Sequence, residues 1–207
     1  MPLEKHPTRF GLIRHAPTIW NREKRIQGQL DSTLTTEGEI LCKTWGQTLS
    51  SQPWDRIVSS DLGRTLRTAE LINTVLKVPM THTPLLREVD WGEWTGRSIK
   101  QIKAENPGVL PEMEKAGWAF RPPGGEDRIA VWERAQRALM DTAEKWPQQT
   151  ILVVTHEGVI KCLVYRLSQR RFLPDEPPLL KSGYVHRLVY GNDGLQIEKI
   201  NAMALTG

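Results

Sequence analysis

Two short apolar runs, Phe10-Gly11-Leu12-Ile13 and Ile151-Leu152-Val153-Val154-Thr155, each lead into a histidine, His15 after Arg14 and His156 directly. Runs of this length and composition read as buried strands. In an open α/β sheet, ligands bind outside the carboxyl ends of the strands. A guanidinium and two imidazoles at such ends are well sited to handle an anion. A lone histidine after a strand is more often a hydrogen-bonded structural residue; two in the same setting make a stronger signal.

The rest of the chain supports a sheet flanked by helices. Thr36 and Glu39 suggest a capping box for a helix with Ile40, Leu41, Trp45 and Leu49 on one stripe. Ile57-Val58-Ser59 reads as a strand, residues 63–76 as a helix, and 80–89 as extended. Residues 90–127 are irregular, with a short helix near 98–105 and breakers at Pro107-Gly108 and Pro122-Pro123-Gly124-Gly125. Asp127 is the expected N-cap of a long helix carrying Trp132, Ala135, Leu139, Ala143 and Trp146, stopped by Pro147. A strand over 150–155, a helix over 158–167 and a hairpin of 184–190 with 195–200, turned by Asn192-Asp193-Gly194, complete the pattern. Strands alternating with helices predict a three-layer α/β/α sandwich, mostly parallel, with an antiparallel edge. Residues 1–207 are expected to form one domain, with 90–127 as an insertion or lid over one end of the sheet.

Composition narrows the partners. The net charge is +4, with Lys and Arg scattered rather than massed, and no nucleic-acid signature appears. A small anionic substrate accounts for a few pocket arginines better than nucleic acid does. No segment approaches a membrane span. The start, Met1-Pro2-Leu3-Glu4-Lys5-His6, lacks the apolar stretch of a secretory leader. Cys42 and Cys162 lie far apart within helical patterns and read as reduced structural thiols, so a cytoplasmic location is expected. Oligomeric state is not legible.

Phosphoryl transfer fits the residues at the strand ends. Arg14 and Arg64 each offer a planar fork of donors to a phosphate. A neutral imidazole serves as a nucleophile, and Glu88 serves as a proton donor if burial raises its pKa. No compact His/Cys/Asp spacing points to a metal, and no Gly-x-Ser-x-Gly elbow points to a serine hydrolase.

The chain also carries ordered motifs: Leu12-Ile13-Arg14-His15-Ala16, Trp20-Asn21, Gln27-Gly28, Ser59-Ser60-Asp61-Leu62-Gly63-Arg64-Thr65, Leu86-Arg87-Glu88, Pro122-Pro123-Gly124-Gly125-Glu126 and Val154-Thr155-His156-Glu157-Gly158. In these it resembles the histidine phosphatase superfamily, which includes the cofactor-dependent phosphoglycerate mutases. The resemblance implies a phosphoglycerate mutase-like fold, with His15 as the phosphorylated nucleophile. It further implies a phosphate pocket of Arg14, Arg64 and His156, Glu88 as general acid, and Asn21, Gln27 and Gly28 at the substrate. It implies neither metal nor cofactor. The short insertion, whose arginines Arg97 and Arg121 lie apart, favours the phosphatase branch that contains α-ribazole phosphatase, acting on a small phosphorylated metabolite. A mutase is the alternative within the family, and a phospho-ligand or phosphoprotein binding module is the alternative of another class. Ala16, Pro17 and Glu157 depart from the commoner pattern. Successive side chains leaving a strand tend to oppose each other, so an inward His156 predicts an outward Glu157.

Overall fold

The computed structural model of the protein describes residues 7–205. The segment Met1–His6, on which the leader expectation rests, lies outside the described residues. The strands are β1 (Thr8–Arg14), β2 (Arg56–Ser60), β3 (Met80–Thr83), β4 (Thr150–Thr155), β5 (Tyr184–Gly191) and β6 (Gly194–Ala204). The helices are α1 (Ile19–Arg22), α2 (Thr36–Leu49), α3 (Gly63–Leu76), α4 (Ile99–Glu105), α5 (Val109–Glu114), α6 (Arg128–Lys145) and α7 (Glu157–Leu167). The strands make one sheet in the order β3-β2-β4-β1-β5-β6. β3, β2, β4 and β1 run parallel, and β5 and β6 add the antiparallel edge.

The unbroken apolar character of β1 and β4 follows from burial on both faces. Alternation sends Leu12, Ile151 and Val153 into one core with Val131 and Leu139 of α6 and Val159 and Leu163 of α7. Ile13, Leu152 and Val154 enter the opposite core with Trp45 and Leu49 of α2 and Ala69 and Ile72 of α3. Helices therefore cover both faces, as the alternating pattern predicted. No helix among the described residues is long and apolar enough to cross a membrane.

Several local expectations are corrected. Thr35, not Thr36, caps α2: its hydroxyl accepts the Gly38 N–H at 2.9 Å, while the Glu39 carboxylate turns to Arg67 at 2.8 Å. Ile40 is 60% exposed, so the buried stripe of α2 runs through Cys42, Trp45 and Leu49. On α6 the buried stripe is Val131, Ala135, Ala138, Leu139 and Ala143. Trp132 and Trp146 only pack against its margin, and Trp146 ends beneath the Arg56 guanidinium, 3.9 Å from its ring centre. The extended run expected over 80–89 stops at Thr83, because Pro84 opens a 3₁₀ turn over Pro84–Leu86. Asp127 caps α6 as expected, accepting the Ala130 N–H at 2.8 Å.

Candidate active site

β1 and β4 are neighbours in parallel register, with Arg14 opposite Thr155. The next residue of each strand is therefore placed side by side. The His15 N–H donates to the Thr155 carbonyl at 2.9 Å, and the two imidazoles meet edge-on with ring centres 5.3 Å apart. His15 is 4% exposed and His156 is fully buried. Burial, then the Arg14 and Arg64 charges, holds His15 well below its ordinary pKa. Burial, then His15 and the nearby arginines, does the same to His156. Both shifts favour the neutral rings. His15 Nδ1 lies 2.8 Å from the Ala16 carbonyl. A carbonyl only accepts, so Nδ1 carries the proton and Nε2 keeps its lone pair. Neither nitrogen of His156 has a hydrogen-bond partner among the described residues.

Arg64 opens α3 and is 2% exposed. Its Nη1 donates to the Leu30 carbonyl at 2.6 Å and to Asp31 at 3.1 Å, and its Nη2 donates to the Gly28 carbonyl at 2.7 Å. Asp31 also accepts the Gly63 N–H at 2.7 Å, so one carboxylate caps the helix and pins its arginine. Gly28 thus meets Arg64 through its backbone, while Gln27 is buried with its Oε1 unpartnered. Asn21 closes a capping box with Thr18, whose N–H and hydroxyl both meet Asn21 Oδ1 at 3.1 Å.

Glu88 follows the 3₁₀ turn rather than a strand end. Its carboxylate accepts the Val89 N–H at 2.9 Å and, more distantly, the Gly158 N–H at 3.4 Å. Burial nevertheless dominates and raises its pKa above the usual carboxylate range. A Cβ at Gly158 would lie 2.4 Å from Glu88 Oε1, so this approach requires glycine. Arg134 holds the Glu88 segment in place. Its guanidinium donates to the carbonyls of Leu85, Arg87 and Glu88 at 2.6–3.1 Å and pairs with Glu126.

Glu157 corrects the expected outward orientation. Its carboxylate lies in the cavity wall and pairs with Arg14 at 2.5 Å and with Lys161 at 2.6 Å. Burial opposes its charge, but the two cations outweigh burial and hold its carboxyl below the usual range. The alternation rule fails because α7 begins at Glu157, so Glu157 takes a helical rather than a strand direction.

Among the expected residues, His15, Arg14, Arg64, Glu88, Asn21, Gln27 and Gly28 line one cavity of about 300 Å³, and His156 packs behind His15. Trp91, Phe120 and Phe172 supply an apolar side. Burial pushes the Cys162 thiol, also in the wall, up to about 12, so it stays an uncharged surface. No group of three or more His, Cys, Asp or Glu side chains is placed to hold a metal among the described residues. Sequence reasoning missed Asp31, Lys161 and the clamp role of Arg134. Asp31 sits in an irregular loop and Arg134 on a helix face that reads as solvated, so spacing gave no sign of either.

Paired histidines at adjacent parallel strand ends, with arginines beside them, define an α/β protein with a cationic cavity at the carboxyl edge of its sheet. Residues 10–203 match the Histidine phosphatase superfamily (branch 1), and the chain belongs to that family. Among relatives, GpmB of Salmonella choleraesuis, which bears the name "Probable phosphoglycerate mutase", is 38% identical over 153 residues, covering 74% of this chain and 71% of that protein. A mycobacterial glucosyl-3-phosphoglycerate phosphatase solved with VO3 is 25% identical with a TM-score of 0.82, over 94% of this chain and 99% of that one. The α-ribazole phosphatase from Shigella flexneri shares the fold, with a TM-score of 0.78 at 23% identity over 96% and 98% of the two chains.

Proposed function

We propose that the protein hydrolyses phosphomonoesters of small metabolites through a phosphohistidine at His15, without a metal. One observation carries this reading: a buried neutral imidazole whose Nε2 lone pair is free, because Nδ1 is committed to the Ala16 carbonyl. Arg14 and Arg64 balance the charge of the phosphoryl group, and the uncharged His156 behind His15 supplies a hydrogen-bond donor. His15 Nε2 forms the N–P bond as the ester P–O bond breaks, and the protonated form of Glu88, which burial favours, gives its proton to the leaving oxygen. Glu88, now a carboxylate, takes a proton from water. That water oxygen bonds to phosphorus, the N–P bond breaks, and inorganic phosphate leaves. Asn21, Gln27 and Gly28 border the substrate.

The whole chain is read as one domain in which 90–127 covers the cavity. In support, Trp94, Ile102, Leu110 and Phe120 form a small core of their own, and Trp91 and Phe120 face the cavity. Two buried free cysteines fit a reducing, cytoplasmic setting.

Mutase activity is the second reading, favoured by the identity with GpmB. The arginines of the insertion argue for hydrolysis, because Arg97 pairs with Glu105 and Arg121 donates to the Gly125 carbonyl. The binding-module reading draws on Glu157, which already engages Arg14.

The test is release of inorganic phosphate from a panel of phosphorylated metabolites, with EDTA present throughout. His15→Ala should abolish release, and acid-labile phosphate should be trapped on the wild type alone. Normal turnover by His15→Ala sinks the mechanism. Phosphate exchange between positions of one substrate, without net release, selects the mutase. A protein that binds phosphate esters and turns none over selects the binding module.

A further inference from the structure

Among the described residues, five cations line the cavity, and four already have a carboxylate partner. Arg14 and Lys161 pair with Glu157, Arg64 with Asp31, and Arg25 with Glu23. Arg128 has none among the described residues. The carboxylate whose field reaches it is Glu114, which is exposed and outside ion-pair distance. Arg128 is half-buried at the start of α6. Its Nη1 donates to the carbonyls of Gly117 at 2.9 Å and Phe172 at 3.2 Å. Its guanidinium carbon lies 4.3 Å from the Phe120 ring centre and 3.9 Å from that of Phe172. Ring contacts use the faces of a guanidinium and leave its in-plane N–H groups for a ligand. Nη2 and Nε make no hydrogen bond among the described residues and are not sealed from solvent.

The place of Arg128 separates it from the phosphate end. The arginines whose charges act most on the two histidines are Arg14, Arg64 and Arg134, whereas Arg128 packs on Phe120 and Phe172 and against the Gly117 and Phe172 carbonyls. Arg128 acts instead on Cys162. The α7 helix runs along the cavity with Glu157 and Gly158 at one end and Lys161 and Cys162 further on. At 1.5 Å per residue, Cys162 lies about 6 Å beyond Gly158. Trp91, Phe120 and Phe172 also line the cavity, the last two against the Arg128 guanidinium. A cavity with a cationic reactive end, aromatic sides and an unpaired arginine at the far end complements a particular shape of ester.

We propose that Arg128 is a specificity residue that binds a second anionic group on the leaving group, so that the preferred substrates are phosphomonoesters with an apolar body ending in a carboxylate or a second phosphate. This rests on the hydrolase reading and adds the substrate class to it. The competing role is structural, since Arg128 also ties the Gly117 and Phe172 carbonyls together.

The experiment compares aryl phosphates of one shape and different charge: 4-(carboxymethyl)phenyl phosphate, its neutral amide, its phosphonomethyl analogue and 4-(aminomethyl)phenyl phosphate. The wild type should favour the anionic esters over the amide by about 10- to 100-fold in kcat/KM, the range of a hydrogen bond to a charged group. The better of the carboxylate and phosphonate identifies the second anion. The preference should collapse toward unity in Arg128→Met and persist largely in Arg128→Lys. A purely structural role would lower every substrate alike and leave the ratio unchanged. That result, or equal kcat/KM across the series in the wild type, overturns the proposal. If Arg128→Met fails to fold, the wild-type series and Arg128→Lys still decide it. Absence of turnover on all four esters overturns the hydrolase reading instead. The charge preference is then read from calorimetric affinities, and equal affinities overturn the Arg128 assignment.

Discussion

The two sides of the cavity are built differently. The sheet side holds His15, Arg64 and His156 at 4%, 2% and 0% exposure, each fixed by strand register or by backbone carbonyls. The rim side holds Arg14, Glu157 and Lys161, whose side chains are about a third or more exposed and are held mainly by one another. A buried arginine against carbonyls has one arrangement. An exposed ion pair is worth about 0–1 kcal/mol and exchanges partners easily. On the proposed mechanism the bond-making falls to the buried side, and the exposed side tunes how the substrate is held. On the same mechanism, an incoming phosphate competes with Glu157 for Arg14.

The largest effect expected among the buried groups, after the loss of His15 itself, is at Glu88. Glu88→Gln should cost about 10²–10⁴-fold in kcat on alkyl phosphates, and far less on p-nitrophenyl phosphate, whose leaving group needs little protonation. Equal losses on both would remove Glu88 from the acid role. On the rim the change should be small and confined to binding. Glu157→Gln frees Arg14, so KM for a dianionic ester should fall by about two- to fivefold, the scale of a surface pair. A rise in KM would mean that Glu157 aims Arg14 rather than competing for it, and would erase the contrast between the two sides.

The most modest effect is on stability. His186, buried on β5, accepts the Asn201 N–H at Nδ1, and burial lowers its pKa to about 4. A depressed histidine binds fewer protons folded than unfolded. Its contribution is full above pH ~6.5 and is lost as pH falls toward 4. His15 and His156 act in the same direction. Thermal denaturation should show Tm falling by ~3–5 °C per pH unit across this window from His186, with His15 and His156 adding in the same direction. His186→Gln should flatten part of the slope, and an unchanged slope would locate the acid sensitivity elsewhere.

The fixed side was legible in the sequence because it depends on regular structure. Apolar runs mark β1 and β4, and a strand that ends on a charged or titratable residue presents it at the sheet's edge. The spans of α3 and β4, and the cap at Asp127, follow from the same local rules. The rim was not legible. Glu157 points where a helical first turn sends it, and alternation was extrapolated one residue too far. Asp31 reaches Arg64 from a loop, and the Arg134–Glu126 clamp joins segments brought together by tertiary packing. Glu88 was assigned to the site for its chemistry, while its backbone was misjudged because Pro84 ends the strand early.

The strand order also has a consequence in time. β2 finds β3 soon after both are made, but both neighbours of β1, namely β4 and β5, lie in the C-terminal part of the chain. At ribosomal speeds of about 5–20 residues per second, β1 waits on the order of ten seconds with no native partner strand. During that interval Phe10, Leu12 and Ile13 are an apolar strand with two open edges. The segment that leads into His15 is made before both of its partner strands and is enclosed only after them, so the nascent chain is open to aggregation there.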